Sequence, residues 1–132
     1  MSAGAHHPFD SEAFRKGMDA YRARRFYDAH EHWEELWIDE EDETLRRFLQ
    51  TLIQITTALH KLLHGVAPRG CPTLLEKVTK NLAALPDAYR GMALGPLRDA
   101  VARLQPEVAR LVEAGRSDLD PALIPVIEAP AG

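Results

Sequence analysis

The sequence predicts an all-α protein: a single-domain bundle of about five antiparallel helices with an extended C-terminal arm. Apolar residues recur every three or four positions in five segments, and no segment before the arm alternates as a strand would. The connections between the segments are short, which makes consecutive helices antiparallel neighbours. The length of 132 residues is typical of one domain. We therefore predict a flexible segment 1–9, a helical bundle domain 10–115 and an extended arm 116–132.

The first predicted helix spans residues 11–22. It follows Asp10, whose side chain can cap free amide groups, and Phe9 can pack on Phe14 as a hydrophobic staple. Gly17 lies in the middle of this helix, where glycine costs up to ~1 kcal/mol relative to alanine. We therefore expect another helix to approach closely at Gly17.

The second and third predicted helices span residues 26–39 and 43–64. The second has one apolar arc, formed by Phe26, Ala29, Trp33, Leu36 and Trp37. The five consecutive acids 39–43 repel one another and favour a solvated turn. The third helix is apolar over much of its circumference, which is typical of the central helix of a bundle, and Gly65 can end it.

The fourth and fifth predicted helices span residues 72–85 and 96–114, and a loop rich in proline and glycine precedes the fourth. Pro106 should kink the fifth helix or split it in two, because proline removes a backbone donor and clashes with the preceding turn. The tail after this helix contains three prolines, which predicts the extended arm. Residues 123–127 are apolar enough to lie on the body of the protein.

Charge limits the classes of partner. The chain has 16 basic and 20 acidic residues, a net charge of −4. Nucleic acids and anionic membranes both attract a positive field, so we expect neither as a partner. Arg22, Arg24 and Arg25 form a small basic patch that can bind phosphate, but we interpret it as a solvated turn with local ion pairs.

We expect a cytoplasmic protein. No apolar run approaches the ~20 residues of a membrane span, and the start of the chain lacks the order of a signal peptide. Cys71 is the one cysteine, so no internal disulfide can form, which suits a reducing compartment. We interpret Cys71 as a small, partly buried thiol rather than a nucleophile.

The second helix contains the most informative polar pair. On a helical wheel centred on Trp33, His30 lies at about 60° and Glu34 at about 100° on the same side. The two side chains are one turn apart and can touch. A carboxylate beside an imidazole suits a general base or a two-ligand metal half-site, and it equally suits a polar pair in the core. Both interpretations stay open, with His30 and Glu34 as the candidate metal ligands.

A second histidine pair lies on the third helix. His60 and His64 are four residues apart, a spacing that can chelate a metal ion. In an antiparallel hairpin, His60 lies ~12 Å along the axis from the level of His30, too far for one metal shell. We therefore interpret this pair as the margin of the core stripe. The HExxH zinc motif is incomplete, since Glu34 occupies the position of its second histidine.

Three motifs resemble the DUF309 family. They are Phe14…Gly17…Tyr21…Phe26-Tyr27-x-Ala29-His30-Glu31-x-x-Glu34-x-x-Trp37, then Arg47-Phe48-Leu49-Gln50-Thr51-Leu52-Ile53-Gln54, and the turn Pro86-x-x-Tyr89-x-Gly91. The resemblance covers residues 10–112. It implies a small all-α domain without an assigned activity, and it marks the positions His30, Glu31, Glu34, Trp37, Gln50 and Gln54. The helical wheel places Gln54 away from the main apolar stripe, which is consistent only if another helix covers that face.

Two functions remain open from the sequence. The first is a non-enzymatic helical domain that binds a partner protein or a small ligand through a His/Glu/Gln polar cluster, with a homo-oligomer as one form of partnership. The alternative is a metal-assisted or acid–base enzyme, similar to a hydrolase. In that enzyme Glu34 acts as base or ligand, His30 as ligand or proton shuttle, and Gln50 or Gln54 orients the substrate. A divalent metal ion would be its cofactor.

Overall fold

A computed structural model describes residues 11–128 and shows the predicted all-α bundle. Its five helices are α1 Glu12–Arg22, α2 Phe26–Trp37, α3 Glu43–His64, α4 Cys71–Ala84 and α5 Gly95–Glu113. Each helix begins and ends within two residues of its predicted bounds. The apolar periodicity therefore located every helix. The predicted flexible segment 1–9 lies outside the described residues.

Helix α3 is the centre of the bundle, as predicted. It packs against α2 on one side and α4 on the other, while α1 packs on α2 and α5 on α4. Half of its residues are buried, among them Phe48, Leu52 and Leu59. Gly65 ends α3 in the left-handed conformation, with φ of 65°. None of the helices within residues 11–128 combines the length and the apolar character needed to cross a membrane.

The N-cap of α1 differs from the prediction. Ser11 is the N-cap residue, and its hydroxyl accepts a hydrogen bond of 3.1 Å from the Phe14 amide. Serine and aspartate cap equally well, so the sequence pattern did not separate adjacent candidates. The expectation for Asp10 as the cap is therefore wrong. Asp10 itself and the staple residue Phe9 lie outside the described residues.

The predicted close contact at Gly17 is confirmed. The fully buried indole of Trp33, on α2, lies directly against the Gly17 backbone on α1. A Cβ atom at Gly17 would lie 2.2 Å from Trp33 Nε1, far inside van der Waals contact. The same indole N–H donates a 3.3 Å hydrogen bond to the Phe14 carbonyl. Glycine thus allows the two helices to approach closely enough for this bond.

The expectation of no strand before the arm is wrong in one place. Ala88–Tyr89 and Met92–Ala93 form a two-stranded antiparallel hairpin, β1 and β2, between α4 and α5. The central turn residues Arg90 and Gly91 have φ of 48° and 87°, and positive φ at both positions is what a type I′ hairpin turn requires. Strands of two residues are too short to produce a recognisable alternation. Tyr89 holds the hairpin on α3, with its ring 5.3 Å from that of Phe48.

Pro106 does not split α5. The helix continues from Gly95 to Glu113 through the proline. Proline deprives the carbonyl four residues earlier, at Ala102, of its helical partner. Both Pro106 and Ala102 are exposed, so water can satisfy that carbonyl. Of the two predicted outcomes, a kink or a split, the split is therefore wrong, because the proline lies on the solvent side of the helix.

The C-terminal arm packs on the body of its own chain. Residues 116–128 run without a long helix and contain one short 3-10 turn, Pro121–Leu123. Ile124 and Ile127 are buried, as expected for the apolar stretch. The Tyr21 hydroxyl, on α1, donates a hydrogen bond of 2.5 Å to the Pro125 carbonyl. Burial raises the pKa of Tyr21, so this hydroxyl stays protonated and remains a donor.

We expect Tyr21→Phe to loosen the arm. The change removes the donor and leaves the buried Pro125 carbonyl without its partner, which should cost about 1 kcal/mol of unfolding free energy. Hydrogen exchange should then show faster exchange of the amides in residues 119–127. Tyr27→Phe, at an exposed tyrosine, serves as the control and should leave the arm unchanged. Equal protection of the arm in both variants would contradict this role of Tyr21.

Candidate functional site

An imidazole flanked by two carboxylates lies on α2. His30 Nε2 is 3.3 Å from Glu34 Oε2, and His30 Nδ1 is 3.4 Å from Glu31 Oε2. His30 and Glu34 meet because they are one helical turn apart on the same face. The predicted contact of His30 with Glu34 is therefore confirmed. The functional role of the contact stays a prediction.

Solvent reaches this group from the side of the carboxylates. The side chains of His30, Glu31 and Glu34 are 21%, 52% and 43% exposed. His30 Nδ1 is buried and has no hydrogen-bond partner among the described residues, because its contact with Glu31 is close but lacks hydrogen-bond geometry. The group is therefore a surface arrangement with a covered imidazole rather than a closed polar network in the core.

Four aromatic and imidazole rings connect α2 with the end of α3. Tyr27 stacks on His30 with ring centroids 5.9 Å apart, and it also lies 5.4 Å from the ring of His60. His60 in turn lies 4.8 Å from His64. We call Tyr27, His30, His60 and His64 the ring cluster. Sequence reasoning missed Tyr27, although its position three residues before His30 on α2 was a usable signal.

Burial and the neighbouring groups both favour the neutral form of His60 by lowering its pKa. Partial burial lowers the pKa of His60, and positive charge on His64, His30 and Lys61 lowers it further. The ordinary histidine pKa is already below 7, so a lowered value leaves the neutral ring dominant. His60 therefore offers an imidazole that can accept a hydrogen bond or bind a metal ion.

The structure does not bring Gln54 to His30. The Gln54 side-chain oxygen accepts a 2.9 Å hydrogen bond from Asn81, on α4, and Asn81 accepts one of 3.1 Å from Arg47. Helix α4 thus covers the face of Gln54, as the helical wheel required. Gln50 is half-buried on the same helix, one turn before Gln54. The family resemblance and the helical wheel are both consistent with this placement.

Trp37 lies at the end of α2 beneath an arginine. The Arg46 guanidinium is 4.0 Å from the centroid of the Trp37 ring and donates a 2.9 Å hydrogen bond to the Trp37 carbonyl. Cation–π contact and hydrogen bond together fix the turn between α2 and α3. Trp37 therefore holds the geometry of the helix pair that supports the ring cluster.

Two other candidate groups, Cys71 and the basic patch, have their own local partners, and Cys71 is more deeply buried than the partly buried thiol that was predicted. Cys71 is fully buried, donates a hydrogen bond from its thiol to a carbonyl of α3, and has its pKa raised by burial. A thiol with a raised pKa is a poor nucleophile. In the basic patch, Arg22 lies 3.9 Å from Asp19 and Arg25 lies 3.5 Å from Asp28, so local ion pairs occupy both arginines.

A cavity between the C-terminal arm and α5 lies away from the ring cluster. It has a volume of about 650 Å³ and separates the C-terminal arm from the start of α5. Its lining is largely aliphatic, with Arg103 and Glu128 as the charged side chains. A ligand site normally adds several convergent polar groups to such a wall. The candidate side chains predicted from the sequence do not line this cavity.

The side chains of the described segment do not build a complete metal shell. Within residues 11–128 no group of three or more His, Cys, Asp or Glu side chains is arranged to hold one ion. His30 with Glu34 and His60 with His64 each offer two donor side chains. A metal ion at either pair would need its other ligands from water, a bound molecule or a partner.

Comparison with known proteins finds a family model that is similar to the first half of the chain. The model of DUF309, a domain of unknown function, matches residues 14–70. An uncharacterized protein of Aquifex aeolicus is 29% identical over 89 residues, which cover 67% of this chain and 26% of that protein. The chain thus spans about a quarter of the length of this relative. No solved structure matches the chain. The Pro86…Gly91 turn lies beyond the matched segment, and the predicted resemblance to the DUF309 family is confirmed for residues 14–70.

Proposed function

We propose that this chain is a non-enzymatic helical domain that binds a small cationic ligand through the ring cluster and the adjacent carboxylates of Glu31 and Glu34. One observation carries the proposal. Tyr27 stacks on His30 and yet stays 54% exposed, so part of an aromatic side chain is open to solvent next to an imidazole that two partly exposed carboxylates flank. An open aromatic face next to carboxylates suits an amine or a guanidinium group, which gains cation–π and charge-assisted contacts together.

Stability alone gives little reason for these carboxylates. An exposed ion pair contributes about 0–1 kcal/mol, because solvent screens the charges and the side chains lose freedom. Glu31 and Glu34 are both about half exposed, and neither contact with His30 is short. A role in recognition explains this arrangement better than a role in folding.

No specific observation favours the enzyme alternative. A hydrolase-like site would need a complete metal shell or a substrate-orienting amide beside His30 and Glu34. The described residues assemble no three-ligand group, and Gln54 is engaged by Asn81 on the opposite side of α3. The binding function is therefore the one that we propose.

The test is a two-dimensional amide NMR titration with small amines and guanidines, beside carboxylic acids of matched size. We expect the cationic probes to shift amides in residues 26–34 and around His60 to His64, while the acids shift neither. Glu34→Gln should weaken this binding several-fold, yet change the unfolding free energy by less than about 1 kcal/mol. Glu35→Gln, at an exposed acid of the same helix, is the matched control.

The titration and the stability measurement have distinct results for a binding role and for a structural role of Glu34. Shifts that map to the face and weaken in Glu34→Gln but not in Glu35→Gln would support the proposal. No shifts on this face with any cationic probe would overturn it. A large loss of stability in Glu34→Gln would also contradict it, because the pair would then be a structural element.

We also infer a cytoplasmic location, supported by the buried, reduced Cys71. A second copy of the chain is also a candidate cationic partner, since Arg22 and Arg25 are exposed. Sedimentation at several protein concentrations distinguishes a self-associating protein from a monomer that binds small ligands.

A further inference from the structure

We propose that His60 and His64 together bind one divalent transition-metal ion of the class of Zn²⁺, Ni²⁺ or Cu²⁺. This inference goes beyond the proposed binding of organic cations and does not depend on it, because α3 alone supplies both ligands. The sequence suggested that the two histidines form only the margin of the core stripe. Their placement in the structure indicates that the two rings can share one metal ion.

The separation of the two rings fits a shared ion. Their centroids lie 4.8 Å apart. A Zn–N bond of ~2.0–2.1 Å places each ring centre about 3.2 Å from the ion, so two imidazoles at a near-tetrahedral angle have centres about 5 Å apart. The observed centroid distance is therefore compatible with one shared ion. The spacing of four residues holds both rings on one face of α3.

The surroundings favour metal binding by these rings. His64 is exposed and His60 is half-buried, so an ion can reach the pair from solvent. Tyr27 contacts His60, which restricts the orientations of that ring.

The pair also limits which ions bind and how. Two imidazoles select transition metals over Mg²⁺ and Ca²⁺, which prefer oxygen ligands. No third His, Cys, Asp or Glu side chain completes the shell within the described segment. The bound ion therefore keeps positions for water or for a donor atom of another molecule, as an open site does.

The experiment is a calorimetric titration of the untagged full chain with ZnCl₂ and, separately, NiCl₂. We expect one ion per chain and no binding of MgCl₂. Loss of a ligand should cost at least the 10–100-fold that loss of an outer-shell partner costs, so His64→Ala should lower the affinity at least about tenfold. His60→Ala is the second variant and should give the same loss. Circular dichroism confirms that each variant is folded.

Two controls exclude other histidines. The adjacent His6 and His7 near the start of the chain can also bind metal, so the double variant His6→Ala/His7→Ala should keep full affinity. His32→Ala, on α2, should keep it too. Wild-type affinity in folded His64→Ala, or loss of binding in the His6/His7 variant, would overturn the proposal. Glu34→Gln should retain metal binding, so failure here is distinguishable from failure of cation binding.

Discussion

Gly17→Ala should destabilise the protein by about 3 kcal/mol, although it adds a single methyl group. The new Cβ would lie 2.2, 2.5 and 2.7 Å from three atoms of the Trp33 indole. That ring is fully buried, and it cannot move away without losing its hydrogen bond to the Phe14 carbonyl. The helices α1 and α2 must therefore separate, and the contacts between them weaken. Urea unfolding measured by circular dichroism gives the loss directly.

The control for this prediction is Gly70→Ala. Gly70 also has a right-handed helical backbone, with φ of −80° and ψ of −12°, but a Cβ there would meet nothing within 4 Å, so the change should be neutral or stabilise by up to about 1 kcal/mol. Combining Gly17→Ala with Trp33→Phe should recover part of the loss relative to the sum of the single changes, because the smaller ring leaves room. A Gly17→Ala protein as stable as wild type would show that the helices adjust freely at this contact.

Arg98→Ala should cost about 2–3 kcal/mol, since bonds of charged donors contribute more than neutral ones. Arg98, on α5, donates to the Leu82 carbonyl at 2.9 Å and the Leu85 carbonyl at 2.8 Å, and to the Asp87 carboxylate at 2.6 Å. The end of a helix leaves carbonyls without internal partners. This one guanidinium satisfies them at the end of α4 and joins α4 to α5.

Thermal unfolding monitored by circular dichroism measures the effect of Arg98. Arg98→Lys is the informative companion, because it keeps the charge but loses the fork that reaches several acceptors at once. We expect Arg98→Lys to recover less than half of the loss. Arg103→Ala, at an exposed position on the same helix, should change stability by less than about 0.5 kcal/mol. Equal stability of the Arg98 and Arg103 alanine variants would refute the capping role.

The helices were predictable because burial imposes a period on each of them. The stripe on α3 and the proline and glycine signals around α4 marked their bounds closely. The hairpin at Tyr89–Met92 was not predictable in the same way, since two residues per strand carry no period. The split at Pro106, one of the two predicted outcomes, does not occur because the penalty of a proline depends on which side of the helix faces water, and that depends on tertiary packing.

The candidate site was predictable only within one helix. The contact of His30 with Glu34 follows from helical geometry, and the structure shows it. The sequence did not predict the connection from His30 to His60. Only the distance along the helix axes was considered, whereas the side chain of Tyr27 reaches from one histidine to the other. The partner of Gln54 depends on which helix covers α3, which the order of helices alone does not determine.

The hydrogen bond between Tyr21 and Pro125 also bears on how the molecule folds. The helix pairs that pack most extensively are consecutive along the chain, so most of the bundle forms through local contacts with a small entropic cost of loop closure. The Tyr21–Pro125 contact instead joins residues 104 positions apart. Closing so long a loop becomes affordable only after the intervening helices have condensed. We therefore expect the arm to dock last during folding, onto a bundle that is already formed, and to detach first during unfolding.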